Sequence, residues 1–157
     1  MGVRRPQMDE PILYRESFTI RGDDFEHGGD AAAAVKAAMK DLGLDATTIR
    51  RLSIANFEAE MNVIMYAHEA QMDFLITPGA IRVVVTDRGP GIDDIDLAMQ
   101  EGYSTATAEM RARGFGAGMG LPNIKRSTDS FEIESMPGQG TTLRYSVTLS
   151  PPLNGTK

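Results

Sequence analysis

Two pairs of strand-like segments, each joined by a short turn, constrain the fold of this chain more than any other feature of its sequence. In the first pair, residues 74–77 and 81–86 are mostly apolar, and Pro78-Gly79-Ala80 separates them. In the second, residues 131–135 and 143–149 flank a Pro-Gly-Gln-Gly turn, and the later segment alternates apolar and polar positions. Short turns between such segments indicate antiparallel hairpins. We therefore predict an antiparallel arrangement in which residues 81–86 form a central strand.

One further strand and two helices are predicted before the first hairpin. Residues 12–20 place apolar side chains at every second position, which is typical of a half-buried strand. Residues 30–42 are rich in helix-forming Ala, Lys, Met and Leu, and Gly43 stands where such a helix would end. A longer helix is predicted from Asp45, a suitable N-cap, to about residue 70.

The region between the two hairpins predicts a short helix, a loop and a further helix. Residues 93–100 fit the short helix, residues 101–117 are rich in Ser, Thr, Ala and Gly, and Pro122 suits the first turn of the further helix. This order is not the strict alternation of a doubly wound parallel sheet. It favours an α+β two-layer sandwich, with a mixed, largely antiparallel sheet covered on one face by helices.

The composition is that of one globular domain, which we place at residues 12–149 between tails at 1–11 and 150–157. A length of 157 residues is enough for a core of its own. The formal charge of -6 disfavours a nucleic-acid partner, and no window is apolar enough to cross a membrane. The absence of cysteine excludes disulfides and thiolate metal sites. We therefore expect a cytoplasmic protein without nucleic-acid or membrane partners.

Glu58 and Asn62 are the first candidates for chemistry, because they stand four residues apart on the second predicted helix and so share a face. An amide oxygen is a suitable ligand for Mg²⁺, and a nearby carboxylate can take a proton from an attacking hydroxyl. An ordinary exposed polar face is the alternative, and this pair alone does not exclude it.

The second candidate is the segment Asp87-Arg-Gly-Pro-Gly-Ile, which directly follows the central strand. A carboxylate at the end of a strand can accept a hydrogen bond from an exocyclic amino group such as that of adenine. Gly89 and Gly91 have no Cβ, so the backbone can approach a flat ring closely. A plain turn is the alternative.

The third candidate is the run Gly114-Phe-Gly-Ala-Gly-Met-Gly-Leu, which precedes the helix near Pro122. Its backbone amides and the helix N-terminus could cradle phosphates, although a hinge would need the same glycines. Met119 and Leu121 stand where a dinucleotide fingerprint needs glycine, and no frame supplies a Walker A motif. The fourth candidate, Gly138-Gln-Gly-Thr-Thr, is by itself an ordinary hairpin turn.

Taken in order, the four candidates resemble the N, G1, G2 and G3 boxes of the GHKL ATPases. The matching motifs are Glu58-x-x-x-Asn62, Asp87-x-Gly-x-Gly-Ile92, Gly114-x-Gly-x-Gly-x-Gly-Leu121 and Gly138-x-Gly-Thr-Thr142. Within that superfamily, Glu101-Gly-Tyr-Ser-Thr and the later Gly-Met-Gly-Leu-Pro-Asn-Ile-Lys-Arg most resemble the anti-sigma factor and switch-protein serine/threonine kinases. The resemblance extends from about residue 12 to residue 149.

The resemblance implies a Bergerat ATP-binding fold with ATP and Mg²⁺ as cofactors. In this fold Glu58 would be the catalytic base and Asn62 would be the magnesium ligand. Asp87 would recognise adenine through a hydrogen bond, and residues 101–118 would form a lid over ATP. The residues it assigns to cofactor binding are Asn62, Asp87, Gly89, Gly91, Ile92, Ser104, Thr105, Gly114, Gly116, Gly118, Met119, Gly120, Leu121, Lys125, Thr141 and Thr142.

The implied function is phosphorylation of a serine or threonine on a small antagonist protein of the STAS type. The resemblance leaves open a sigma factor or a phosphatase as a second partner, and also a homodimer. Two rival functions remain. The chain could be a binding module that uses ATP only to set its conformation and sequesters a partner without phosphotransfer, or it could be a plain ATPase.

Overall fold

The computed structural model describes residues 10–112 and 119–153, and within these ranges five strands form one sheet. The strands, in the spatial order β1-β2-β3-β5-β4, are β1 (Tyr14–Arg21), β2 (Glu69–Ile76), β3 (Ala80–Arg88), β4 (Ser130–Met136) and β5 (Gly140–Thr148). The helices are α1 (Asp30–Asp41), α2 (Ala46–Tyr66), α3 (Ile95–Ala98), α4 (Ala108–Ala112) and α5 (Gly120–Ser127). The predicted α+β fold and the central position of β3 are confirmed.

All four strand pairings among the described residues are antiparallel, so the sheet is more uniform than the mixed sheet we expected. Turns at residues 77–79 and 137–139 join β2 to β3 and β4 to β5, and turns this short impose antiparallel pairing. Two helices, rather than the single crossover helix of a parallel unit, join β1 to β2. The chain therefore re-enters the sheet in the opposite direction.

The helices cover one face of the sheet, and the core lies between the two layers. Along β2, β3 and β5 every second side chain is buried against α2, as for Phe74, Val83 and Tyr145. α2 contacts four of the five strands, α1 packs on α2 and β1, and α5 packs on α2 and β4. α2 is therefore the element that positions the others.

The opposite face of the sheet is more exposed and largely polar. Its exposed side chains include Arg15, Thr19, Gln71, Thr86 and Arg144, which we call the open sheet face. These positions alternate with the buried ones because successive side chains of a strand point to opposite sides. The sheet therefore separates two surfaces of different chemistry.

The ends of α2 show where local sequence determines structure and where tertiary contacts do. Asp45 caps the helix as predicted, because its Oδ2 accepts a hydrogen bond from the backbone N–H of Thr48 at 3.0 Å. The helix ends at Tyr66, not near residue 70, because Ala67 is extended and the carbonyl of His68 accepts from Gly22 at 2.8 Å. Neither α2 nor any other helix in the described ranges is long and apolar enough to cross a membrane.

Glu60 joins α2 to the start of α1. Its Oε2 accepts hydrogen bonds from the backbone N–H groups of Gly29 and Ala31 at 3.0 and 3.2 Å, and its Oε1 accepts from Ala32 at 2.8 Å. The first N–H groups of a helix have no partner within the helix and carry partial positive charge. The buried Glu60 carboxylate, only 2% exposed, therefore caps α1 and fixes it against α2.

The chain stays attached to the domain after β5. The backbone N–H of Leu149 donates to the carbonyl of Gly79 at 2.9 Å, and that of Leu153 donates to Pro78 at 2.7 Å. The Leu153 side chain also packs against the core. These contacts tie the C-terminal residues to the β2–β3 turn.

Candidate functional site

Glu58 and Asn62 lie on the face of α2 that meets the start of α5. Asn123 Nδ2 donates a hydrogen bond to Glu58 Oε2 at 3.0 Å. Gly120 lies so close to Asn62 that a Cβ added to this glycine would stand 3.2 Å from Asn62 Oδ1. Glu58 and Asn62 are four residues apart on α2, and their partners Asn123 and Gly120 are three apart on α5. Both spacings keep residues on one face of a helix, so the two pairs can meet.

Asn123 is itself held in place by a chain of charged groups. Arg126 Nη2 donates to Asn123 Oδ1 at 2.6 Å, and Arg126 Nη1 also bonds the Glu101 carboxylate. Because the Asn123 oxygen faces a guanidinium, its amide nitrogen is directed at Glu58. The series of side-chain bonds from Glu101 through Arg126 to Asn123 therefore orients one oxygen of Glu58.

Asn123 and Arg126 were not predicted as site residues from the sequence, whereas Lys125 was, and contact of Lys125 with the nucleotide stays a prediction. Lys125 is exposed, and within the described residues it makes no hydrogen bond or ion pair with Glu58. The signal that could have found Asn123 is its position three residues after Gly120, which puts both on one face of α5.

Asp87 stands at the end of β3 with its side chain partly buried. Its Oδ1 accepts a hydrogen bond from the backbone N–H of Thr141 at 2.9 Å. Burial raises the pKa of the Asp87 carboxyl above its usual value, and the Thr141 N–H opposes that shift. Oδ2 has no hydrogen bond within the described residues, so the carboxylate keeps an acceptor for a donor from outside the chain.

The change Asp87→Asn is expected to stabilise the folded chain at pH 7. The folded-state pKa of Asp87 lies above the unfolded value of about 3.9, so the wild type loses stability as pH rises through the folded-state pKa. Asparagine keeps the acceptor for Thr141 and carries no charge. Urea unfolding should show a higher midpoint for the variant at pH 7, and the difference should shrink toward pH 4; a difference that grows on acidification would contradict this account.

The two glycine bends next to Asp87 pack directly against each other. A Cβ on Gly91 would lie 2.4 Å from the carbonyl oxygen of Met136, and a Cβ on Gly140 would lie 2.2 Å from the carbonyl oxygen of Asp87. The backbone N–H of Gly138 donates to the Pro90 carbonyl at 2.7 Å. Motifs about fifty residues apart in sequence therefore form one wall of the site.

The change Gly140→Ala is expected to destabilise the fold by about 2 to 3 kcal/mol, because φ is +145° and the new Cβ would collide with backbone. Gly138→Ala is a matched control in the same turn: its φ is +81°, but no atom lies within 4 Å of the added Cβ. That control should cost only about 1 kcal/mol. Urea unfolding of both variants measures the difference, and equal losses would show that the close approach to Asp87 is unimportant.

A serine that the sequence analysis did not name connects Ile92 with Thr141. Ser135 Oγ accepts from the backbone N–H of Ile92 at 2.7 Å and lies 2.8 Å from Thr141 Oγ1. Thr141 is buried beside Asp87, whereas strand alternation puts Thr142 on the opposite side of β5, level with Thr86. The structure therefore brings Ile92 and Thr141 to the site and leaves Thr142 on the open sheet face.

The predicted lid residues are only partly placed. Ser104 Oγ lies 3.5 Å from the Tyr66 hydroxyl at the end of α2, and Thr105 is exposed. Part of the predicted loop is helical, since α4 lies within it. Gly114, Gly116 and Gly118 lie outside the described residues, so their predicted place in the phosphate cradle stays a prediction.

The start of α5 belongs to the site through its backbone. Met119 precedes the helix and makes no side-chain hydrogen bond that would cap it. Within the described residues the N–H groups of Gly120 and Leu121 therefore have no side-chain cap, and such groups suit an anion. Gly89 lies close to the C-terminal end of α2, because a Cβ added to this glycine would lie 3.0 Å from the Cα of Ala67.

The chemistry of these side chains fits a magnesium ion held largely by phosphates. Within the described residues, no cluster of three or more His, Cys, Asp or Glu side chains could hold a metal by itself. Mg²⁺ usually takes only one or two protein ligands in phosphate sites and keeps water and phosphate oxygens for the rest. The Asn62 amide oxygen, beside the start of α5, is of the chemical type that such a site uses.

The sequence is similar to those of a protein kinase and of anti-sigma factors. The chain is 32% identical over 109 residues to the serine/threonine-protein kinase RsbT of Bacillus subtilis, which covers 67% of this chain and 76% of that protein. It is 33% identical over 119 residues to the anti-sigma F factor of Caldanaerobacter subterraneus subsp. tengcongensis, covering 73% and 80%. Both relatives are of the class that the four motifs resemble.

A structural neighbour and a family model agree with these relatives. A chain from the crystal structure of the SiaB-SiaC complex from Pseudomonas aeruginosa superposes with a TM-score of 0.54 at 13% identity, covering 89% of this chain and 92% of that one, which supports the fold alone. The model of the histidine kinase-like ATPase domain matches residues 23–147, a range that holds all four motifs. The chain therefore belongs to the histidine kinase-like ATPase family.

Proposed function

We propose that this chain is an ATP-dependent serine/threonine protein kinase of the partner-switching type, with a STAS-type antagonist protein as its substrate. The observation that carries the proposal is the placement of Glu58 and Asn62 against the start of α5, with Asn123 bonded to Glu58. The similarity to a serine/threonine-protein kinase and to anti-sigma F factors supports it.

Glu58 acts in this proposal as the base for the accepting hydroxyl. One carboxylate oxygen is held by Asn123, and the other has no hydrogen bond within the described residues. As the substrate oxygen bonds to the γ-phosphorus and the bond to ADP breaks, the hydroxyl proton passes to Glu58. A base fixed by a neighbouring amide loses little orientational freedom in that step.

Asn62 and Asp87 bind rather than react. Bound Mg-ATP supplies the phosphoryl group, and its metal neutralises charge on the phosphates. Asn62 offers the metal an amide oxygen, and the N–H groups of Gly120 and Leu121, which have no side-chain cap within the described residues, bind the phosphates. Asp87 accepts from the adenine amino group, for which its Oδ2 remains available.

The proposal includes further partners and a place in the cell. The second partner is a sigma factor, which the similarity to anti-sigma F factors supports, or else a phosphatase. β1 is an edge strand whose outer backbone groups could pair with a second copy of the chain. A cytoplasmic location agrees with the lack of cysteine.

The test is incubation of the chain with labelled ATP, Mg²⁺ and the proteins encoded beside its gene. Transfer of label to a serine or threonine of one of them supports the kinase. Label that appears only as free phosphate would contradict it and would favour a plain ATPase. Capture of a partner with ATP, without any label transferred, would favour the rival function of a binding module.

A further inference from the structure

A groove of about 670 Å³ runs between α1 and α2 and ends at Glu58. Its walls include Lys36 and Lys40 of α1, four residues apart and so on one face of that helix. On α2, Arg50, Ile54 and Glu58 follow one another at intervals of four residues, and Phe57 directly precedes Glu58. The groove is therefore continuous with the candidate site.

The groove is cationic in a chain that is acidic as a whole. Lys36, Lys40 and Arg50 contribute three positive charges, and Glu58 is the one acidic side chain among the lining residues. The chain as a whole has a formal charge of -6. Within the described residues none of the three cations makes an ion pair with an acidic side chain, so their charge remains available to a ligand.

Two large apolar side chains lie between the cations and Glu58. Ile54 is 43% exposed and Phe57 is 40% exposed, although both belong to the helix that carries the core. Exposed apolar side chains grouped beside polar ones are typical of surfaces that bind another protein. The groove thus offers an apolar strip with positive charge at one end and the proposed base at the other.

The helix itself sets the distance between these features. Arg50 and Glu58 are eight residues apart, which at 1.5 Å per residue is about 12 Å along α2. An extended peptide covers that distance in about four residues. Ile54 lies about halfway, so an apolar side chain two residues from the acceptor would reach it.

We propose that this groove docks an acidic segment of the phosphoacceptor protein, in which an apolar residue and then Asp or Glu stand about two and four positions from the accepting serine or threonine. The inference rests on the proposed function, because it names what that site selects. Charge complementarity and the apolar strip determine the occupant: acidic side chains meet the cations, and the apolar one covers Ile54 and Phe57.

The experiment titrates the full chain carrying Glu58→Gln with short peptides and follows backbone amide shifts by NMR. The probes are acetylated Asp-Asp-Leu-Gly-Ser-Gly and its reverse, Gly-Ser-Gly-Leu-Asp-Asp, each compared with an analogue in which Asn replaces Asp. We expect at least one acidic peptide to bind at least fivefold more tightly than its Asn analogue, with shifts confined to α1 and α2. Equal affinity of both acidic peptides and their analogues would overturn the proposal.

Charge reversal locates the binding. In the same background, Lys36→Glu with Lys40→Glu should weaken the acidic peptide at least fivefold. Arg15→Glu with Arg21→Glu, an equal charge change on exposed residues of β1, should leave it within twofold. If both pairs of substitutions weaken binding equally, the effect comes from net charge and not from the groove. If a single-stranded oligonucleotide binds more tightly than the peptide, the groove suits another class of partner. Either result overturns the proposal.

Failure of this inference can be told apart from failure of the proposed function. Peptide binding to the Glu58→Gln chain needs neither nucleotide nor phosphotransfer. If the peptide docks but the wild type transfers no label, the docking proposal stands and the proposed kinase function is wrong. If label is transferred to a partner, and the Michaelis constant for that partner is the same for the wild type and for Lys36→Glu with Lys40→Glu, the kinase function stands and the docking proposal is wrong.

Discussion

The change Glu58→Gln is expected to slow phosphotransfer about 100- to 10,000-fold, the usual contribution of a general base. Glutamine has nearly the same shape and can still accept from Asn123, but it cannot take the proton of the attacking hydroxyl. The affinity for ATP should stay within about threefold, because the lost interaction belongs to the hydroxyl and not to the nucleotide. Single-turnover transfer and calorimetry with Mg-ATP measure the two effects.

Asn123→Ala is the companion variant for Glu58. It removes the hydrogen bond that orients the carboxylate and leaves the carboxylate itself, so we expect an intermediate loss of roughly 10-fold in transfer rate. Full transfer by the Glu58→Gln chain would exclude Glu58 as the base. If the chain still releases its partner on ATP addition while transfer is absent in wild type as well, the binding-module function would be favoured.

The change Glu60→Leu is expected to lower the free energy of unfolding by about 3 to 6 kcal/mol. Three backbone N–H groups at the start of α1 lose their acceptor. The buried ones of Ala31 and Ala32 cost about 1 to 3 kcal/mol each without a partner, and the part-buried one of Gly29 costs less. For a domain of this size the thermal midpoint should fall by roughly 10 °C or more. Urea and thermal unfolding followed by circular dichroism measure both.

Glu60→Gln separates the cap from simple filling of space. Its single oxygen can still accept from Gly29 and Ala31, which share one carboxylate oxygen in the wild type. We therefore expect it to lose about half as much stability as the leucine variant. Glu132→Gln, at an exposed position of β4, should change stability by less than about 0.5 kcal/mol. A leucine variant as stable as wild type would show that α1 needs no acceptor from α2.

Features encoded within a few residues could be predicted from the sequence. Short turns between strand-like segments predicted the hairpins, Asp45 predicted the start of α2, and Gly43, which has a φ of +75°, predicted the end of α1. The spacing of Glu58 and Asn62 placed both on one face of a helix, because that follows from helix geometry alone.

Features that depend on long-range contacts could not be predicted. The end of α2 is set by a hydrogen bond to Gly22, about forty-five residues earlier, and β2 consequently begins at Glu69. The bonds of Arg126 to Glu101 and Asn123 could not be predicted either, because these partners meet only in the folded chain. The capping role of Glu60 could not be predicted, because a glutamate in a helix is usually exposed.

The separation of the two sheet faces has a practical consequence for spectroscopy. The chain has no cysteine, so a single thiol introduced at Thr86, exposed in the middle of the open sheet face, can be labelled selectively. A dye or spin label there is shielded by the sheet from α2 and α5. Distances measured from it to a second label on a bound protein would report docking without the label itself touching the nucleotide or the groove.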